Sequence, residues 1–131
     1  MTAAAEKVLT PASRVIVPEA SLVAARAAAG KLCDSTVVLA MGELLGVTDA
    51  FVITSGRNIR QVRTIVDEVE LKVKQAVGRA PWSIEGLHDL RWVLMDYGDF
   101  LVHVFHEEAR EYYDLERLWG DAERVSWEGE G

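Results

Sequence analysis

Asp96, Asp99 and His103 stand close together in the run VLMDYGDFLVHVF (93–105). Carboxylates that converge can hold Mg²⁺ against a phosphate, and an imidazole beside them can move a proton. The run therefore has the residue types of a metal-dependent nucleotidyl-transfer site. Such a site needs aspartates converging from adjacent positions and a glycine-rich loop for the phosphates. Here the aspartates flank the pair Tyr97-Gly98, and TSGRN (54–58) has a single glycine. Two other readings fit the same residues. Asp96 and Asp99 can hydrogen-bond the amides of a tight turn, or the turn can shape a face that binds another protein.

The choice depends on the strands that carry these residues. RWVLMD and DFLVHVF read as two strands of a hairpin. With Tyr97 and Gly98 as a two-residue loop, Asp96 pairs with Asp99, Leu94 with Leu101 and Trp92 with His103. One face then holds Val93, Met95, Phe100, Val102 and Val104 and suits packing under helices. The other holds Trp92, Leu94, Asp96, Asp99, Leu101, His103 and Phe105. That second face mixes aromatic, aliphatic and polar groups, as docking surfaces do. Tyr97 is awkward in the loop, because a type I′ turn wants positive φ at both central positions; a type I turn with a glycine bulge is the alternative. A different loop length would change the pairing.

Around the hairpin, Pro18 opens an alanine-rich helix over about 18–33, with Leu22, Ala25, Ala29 and Leu32 on one face. STVVLAMG and DAFVITSG predict strands near 36–41 and 50–55, joined by the loop ELLGVT. Val62, Ile65, Val66, Val69, Val73, Ala76 and Val77 keep helical spacing, with Asn58 as N-cap and Gly78 at C′. PWSIEG (81–86) predicts a short strand. Residues 107–120 predict a last helix, acidic in its first turn as the helix dipole favours. The order is α-β-β-α-β-β-β-α. It predicts an α/β (α+β) fold, a mixed five-stranded sheet packed with helices, with one parallel crossover and one tight hairpin. Residues 1–17 are expected as a loose N-terminal arm, 18–122 as the domain and 123–131 as a flexible acidic tail.

The 131 residues, half of them apolar, suit one domain. No apolar run approaches the roughly 20 residues of a membrane span, and Glu6 and Lys7 interrupt any signal peptide, so a cytoplasmic protein is expected. Cys33 is the single cysteine, which leaves no internal disulfide and no Cys-x-x-Cys for zinc; it reads as a buried thiol closing the first helix. The net charge of −7 is uneven: residues 107–131 hold nine acidic against three basic residues. Acidic segments repel phosphate backbones and attract basic partners. Arg57, Arg60 and Arg63, spaced by three, oppose the dipole at their helix start and suit phosphate, an acidic partner or plain solvent. Tyr112, Leu115 and Trp119 form a stripe suited to core packing. His88 lies in a loop, and His106 ends a strand.

Several motifs carry a family resemblance. TDAFVITSG (48–56), RQV (60–62), EG (85–86), WVLMDYGDFLVHVF (92–105) and REYYDLERLWGDA (110–122) resemble the ribosomal silencing factor (RsfS, Iojap-like) family over about residues 19–122. The resemblance implies a nucleotidyltransferase-like sandwich without the catalytic site, hence no catalytic residue, cofactor or metal. It implies binding to the large ribosomal subunit through its fourteenth ribosomal protein, a block to small-subunit joining, and repression of translation when nutrients fail. It also implies homodimers in the free state, no membrane, no specific nucleic-acid recognition, and, for organellar relatives, a part in large-subunit biogenesis. The partner-binding residues would be Trp92, Leu94, Asp96, Tyr97, Gly98, Asp99, Leu101, His103, Tyr112 and Tyr113. Ala40, Ala50 and Asn58 depart from the usual pattern, in which Asp, Tyr or Cys, and Ser are common.

Overall fold

The computed structural model describes residues 7–9, 16–31 and 36–128. Along the chain it forms β1 (Lys7–Leu9), β2 (Ile16–Pro18), α1 (Glu19–Ala29), β3 (Val37–Ala40), α2 (Gly42–Leu45), β4 (Ala50–Gly56) and α3 (Ile59–Val77). There follow β5 (Ser83–Glu85), β6 (Trp92–Asp96), β7 (Phe100–His106), α4 (Glu107–Tyr113), α5 (Leu115–Leu118) and β8 (Glu123–Arg124).

α3 follows its sequence signals. The Asn58 side chain accepts from the Gln61 amide at 2.9 Å, so one orphan N–H of the first turn is satisfied. At the other end Gly78 takes φ +73, a left-handed stop that side-chain-bearing residues resist. Val62, Ile65, Val66, Val69 and Val73 are buried as one stripe. They pack with α1 and with Val93, Met95, Phe100, Val102 and Val104 in the main core. Those five are the apolar face expected of the hairpin.

The main sheet has six strands in the order β5-β6-β7-β4-β3-β8, one more than expected. β4 and β7 are parallel and the other neighbours antiparallel, so the expected mixed α/β architecture holds. The extra strand comes from the segment expected as a tail. Glu123 pairs with Ala40, the Val125 amide donates to the Val38 carbonyl at 2.9 Å, and the Trp127 indole donates to the Thr36 carbonyl at 2.8 Å. This covers the edge of β3, whose unpaired backbone would otherwise face water.

Four other expectations change. The first helix ends at Ala29 with Gly30 as its C-cap, short of the expected residue 33. Within the expected N-terminal arm, β1 pairs antiparallel with β2, and Pro18 caps α1 rather than entering it. The expected loop ELLGVT contains the single-turn helix α2, stopped by Gly46 at φ +79. The last helix is broken: Asp114 is left-handed at φ 51 and separates α4 from α5. Leu32 and Cys33 lie outside the described residues. Among the described residues no helix is long and apolar enough to cross a membrane.

Candidate protein-docking face

The β6–β7 hairpin closes one residue later than expected. The register is Trp92↔Phe105, Leu94↔His103 and Asp96↔Leu101, not Trp92 with His103, Leu94 with Leu101 or Asp96 with Asp99. Gly98 and Asp99 are the connection, and Gly98 at φ +90 sits at its first central position, where positive φ suits a hairpin. Tyr97 is thereby relieved of the turn. It is fully buried and stacked on Phe100 with ring centroids 4.6 Å apart. The shift moves each partner by two residues, and two residues restore the same side of a strand, so the sorting of faces survives.

The two aspartates act at the turn. Asp96 Oδ1 accepts from the Gly98 amide at 2.8 Å. Asp99 receives the Arg79 guanidinium at 2.8 and 3.3 Å, and the same guanidinium donates to the Tyr97 carbonyl at 2.6 Å. Burial, followed by the nearby charge of Glu70, pushes the Tyr97 phenol up to about 12 against an opposing pull from Arg79. Its hydroxyl has no hydrogen-bond partner among the described residues.

Trp92, Tyr112 and Tyr113 gather at the opposite end of the hairpin, about 14 Å from Asp96 along β6 at the usual strand rise, and His103, paired with Leu94, stands between, about 7 Å from Asp96 along the strand. The nucleotidyl-transfer reading needs Asp96, Asp99 and His103 at one point, and the strands hold them apart. Among the described residues no group of three His, Cys, Asp or Glu side chains is placed to hold a metal ion.

α4 and α5 cover only part of this second sheet face. Ala109 of α4 and Leu115 of α5 close over Leu39, Met41, Phe51, Ile53 and Phe105 to form a second core, with Trp92, Leu101 and Trp119 at its margin. Arg110 fixes the cover. Its guanidinium binds Glu116 at 3.1 and 3.0 Å and the Ser55 hydroxyl at 3.0 Å, joining α4, α5 and β4. Trp119 meets Phe51 edge-on at 6.3 Å, so Leu115 and Trp119 pack as the stripe suggested. Tyr112 does not; it is 80% exposed. His106 caps α4, its Nδ1 accepting from the Glu108 amide at 3.2 Å.

Beyond the cover, Trp92, Leu94 and Leu101 remain half-buried in a row that ends at Asp96. Trp92 packs on Tyr113 at 4.6 Å and on Phe105 at 5.0 Å. Its indole N–H donates to His103 Nδ1 at 3.1 Å, which leaves the histidine proton on Nε2. His103 is only 4% exposed, and Tyr97 is fully buried in the main core on the other face of the sheet, so neither side chain is open to contact, contrary to expectation.

A model of the family described as "Ribosomal silencing factor during starvation" matches residues 16–130. The chain belongs to the ribosomal silencing factor family. It is 43% identical over 99 residues to Ribosomal silencing factor RsfS of Halalkalibacterium halodurans, covering 76% of this chain and 84% of that one. A crystal structure of a Chromobacterium violaceum protein superposes with a TM-score of 0.74 at 31% identity, covering 86% of this chain and 92% of that one. "Mitochondrial assembly of ribosomal large subunit protein 1" of Mus musculus is 36% identical over 74 residues, which are 55% of this chain and 32% of that one. For this silencing factor family member, the DYGD motif is thus a turn, and the REYYDLERLW motif contains the Arg110–Glu116 clasp that sets the helical cover.

Burial lowers the His103 pKa from the ordinary 6.5 to about 4. Between those values the unfolded chain takes up a proton that the folded chain refuses. The stability linked to neutral His103 is therefore complete above pH 6.5 and is lost as pH falls toward 4. At 1.36 kcal/mol per pH unit, about 2 kcal/mol should be gone by pH 5. Urea unfolding at pH 7.5 and 5 should show that loss, and His103→Gln should flatten it. An unchanged pH dependence in the variant would contradict the assignment.

Proposed function

We propose that this protein is a non-catalytic translational repressor that docks on the large ribosomal subunit and sterically blocks joining of the small subunit. The partner is the fourteenth protein of the large subunit, and the setting is the cytoplasm under nutrient limitation. The half-buried row Trp92-Leu94-Leu101, rimmed by Asp96, Tyr112 and Tyr113, carries the reading. It combines an aromatic anchor, flanking aliphatic groups and a polar rim, the anatomy of a protein interface. The acidic residues of the C-terminal segment would speed encounter with a basic ribosomal protein. The same face, covered by a second copy, would account for homodimers in the free state. The reading assigns no cofactor and no chemical step.

Purified large subunits should carry the protein down on sedimentation, and added small subunits should then form fewer joined ribosomes. Undisturbed joining at saturating protein would sink the proposal. The similarity to a mouse protein named for large-subunit assembly supports a second reading, an assembly factor using the same face. Co-sedimentation with precursor subunits in preference to mature ones would favour it.

A further inference from the structure

The helical layer, on the side of the sheet opposite Trp92, has a charge of the other sign. α1 and α3 pack side by side, and two shallow grooves run along their outer seam. One, of about 490 Å³, is lined by Arg26, Lys31, Glu68 and Lys72 among others. The second, of about 440 Å³, shares Gly30 and Lys31 with it and adds Arg60. Among the described residues the two grooves together present four cations and one carboxylate, a local +3 on a chain of net −7. The single carboxylate, Glu68, is taken by Lys72 at 3.9 Å. Arg26 spends its Nε–H on the Trp127 carbonyl at 2.9 Å. Arg60 lies in the first turn of α3, which has no acidic residue, so its charge opposes the helix dipole and is not explained by helix stability.

We propose that this seam is an RNA-contacting surface that takes the phosphate backbone of ribosomal RNA while the Trp92 face holds its protein partner. The inference rests on the docking reading above. From Arg60 to Lys72 the seam runs about 18 Å at 1.5 Å rise per residue, a length that tracks several successive phosphates. The neutral donors beside the cations, Gln61 and Gln75, are of the kind that bind phosphate oxygens and ribose. The cations are gathered in a concave seam on an otherwise acidic molecule. A narrow phosphate ridge can enter the seam and meet cations from both grooves. The contact is to backbone and reads no sequence. The acidic remainder of the chain keeps free RNA from trapping the protein before it docks.

The test is binding to purified large subunits across a series of salt concentrations, with wild type, the pair Lys31→Glu and Arg60→Glu together, and Trp92→Ala. Both charge reversals sit on exposed positions, and circular dichroism confirms the fold. The paired variant should bind at least tenfold more weakly at low salt, with a logarithmic salt slope reduced by about 2, one unit for each lost phosphate contact. Affinity and slope equal to wild type would overturn the proposal while leaving the docking reading intact. Wild type that fails to bind large subunits at all would overturn the docking reading and this inference with it. Phosphatidylserine vesicles are the last arm. Vesicle binding abolished by the paired reversal, with subunit binding unchanged, would assign the seam to a membrane and refute the RNA contact.

Discussion

Trp92→Ala should abolish detectable co-sedimentation with large subunits while the protein remains folded. Large aromatics near the centre of an interface contribute about 2 kcal/mol or more when truncated, which is a loss of about thirtyfold or greater. Trp92 fits that role because its ring is held in place before any partner arrives. Phe105 and Tyr113 flank it, and its N–H is fixed on His103 Nδ1. A side chain already ordered loses little freedom on binding. Because that N–H is spent internally, a partner meets the indole ring rather than its donor. Trp92→Phe should therefore keep most of the affinity although it removes the hydrogen bond. Truncation to Ala also removes packing from the second core and should lower stability by a few kcal/mol. Leu94→Glu separates the two effects, since Leu94 is half-buried at the margin and its replacement should weaken docking with a smaller loss of stability. Normal binding by folded Trp92→Ala and Leu94→Glu proteins would show that this face is not the docking surface.

The parts of this structure that the sequence makes legible are those set by local periodicity. α3 shows its Asn58 cap and its Gly78 stop where expected, and its apolar stripe from Val62 to Val73, although Ala76 and Val77, expected to continue it, are exposed in the last turn. The hairpin faces are legible for the same reason, and they survive the shift in the turn because strand alternation has period two. The turn itself is not legible. One glycine can serve either Tyr97-Gly98 or Gly98-Asp99, and the choice is made by the core, which takes the Tyr97 ring against Phe100. The break at Asp114 depends on contacts six residues apart. Arg110 and Glu116 would point to different sides of a continuous helix, and only a turn at Asp114 lets them meet. β8 depends on the free edge of β3, which is more than eighty residues away. His103 reads as a surface group in the sequence because nothing in its own strand announces that α4 and α5 fold over that end of the sheet. The motifs reach the right family without resolving any of these points, since a motif records which residues recur and not which of them touch.

Gly86→Ala should be among the most damaging single changes to stability, and the reason lies directly behind Trp92. Gly86 ends the short EG motif at φ +95, and a Cβ there would stand 2.1 Å from the Trp92 carbonyl oxygen and 3.3 Å from Val93 Cα. Those neighbours are backbone atoms of β6, inside the sheet, and they cannot swing aside as a side-chain tip would. Left-handed geometry costs a side-chain-bearing residue about 1–2 kcal/mol, and overpacking adds about 1–3 kcal/mol. A loss of about 3 kcal/mol or more is therefore expected. Gly78→Ala is the control, because Gly78 has a similar φ, +73, and a Cβ added there would meet nothing within 4 Å. It should lose only the conformational part, about 1–2 kcal/mol. Urea unfolding of the two variants checks the difference, and midpoints that coincide would mean that the close approach behind Trp92 yields more easily than the geometry implies. The comparison also bears on docking. The clash at Gly86 pushes on the carbonyl of the anchor residue itself, so Gly86→Ala should weaken large-subunit binding even under conditions where it is fully folded. Gly78→Ala, at the far end of α3, should bind as wild type does.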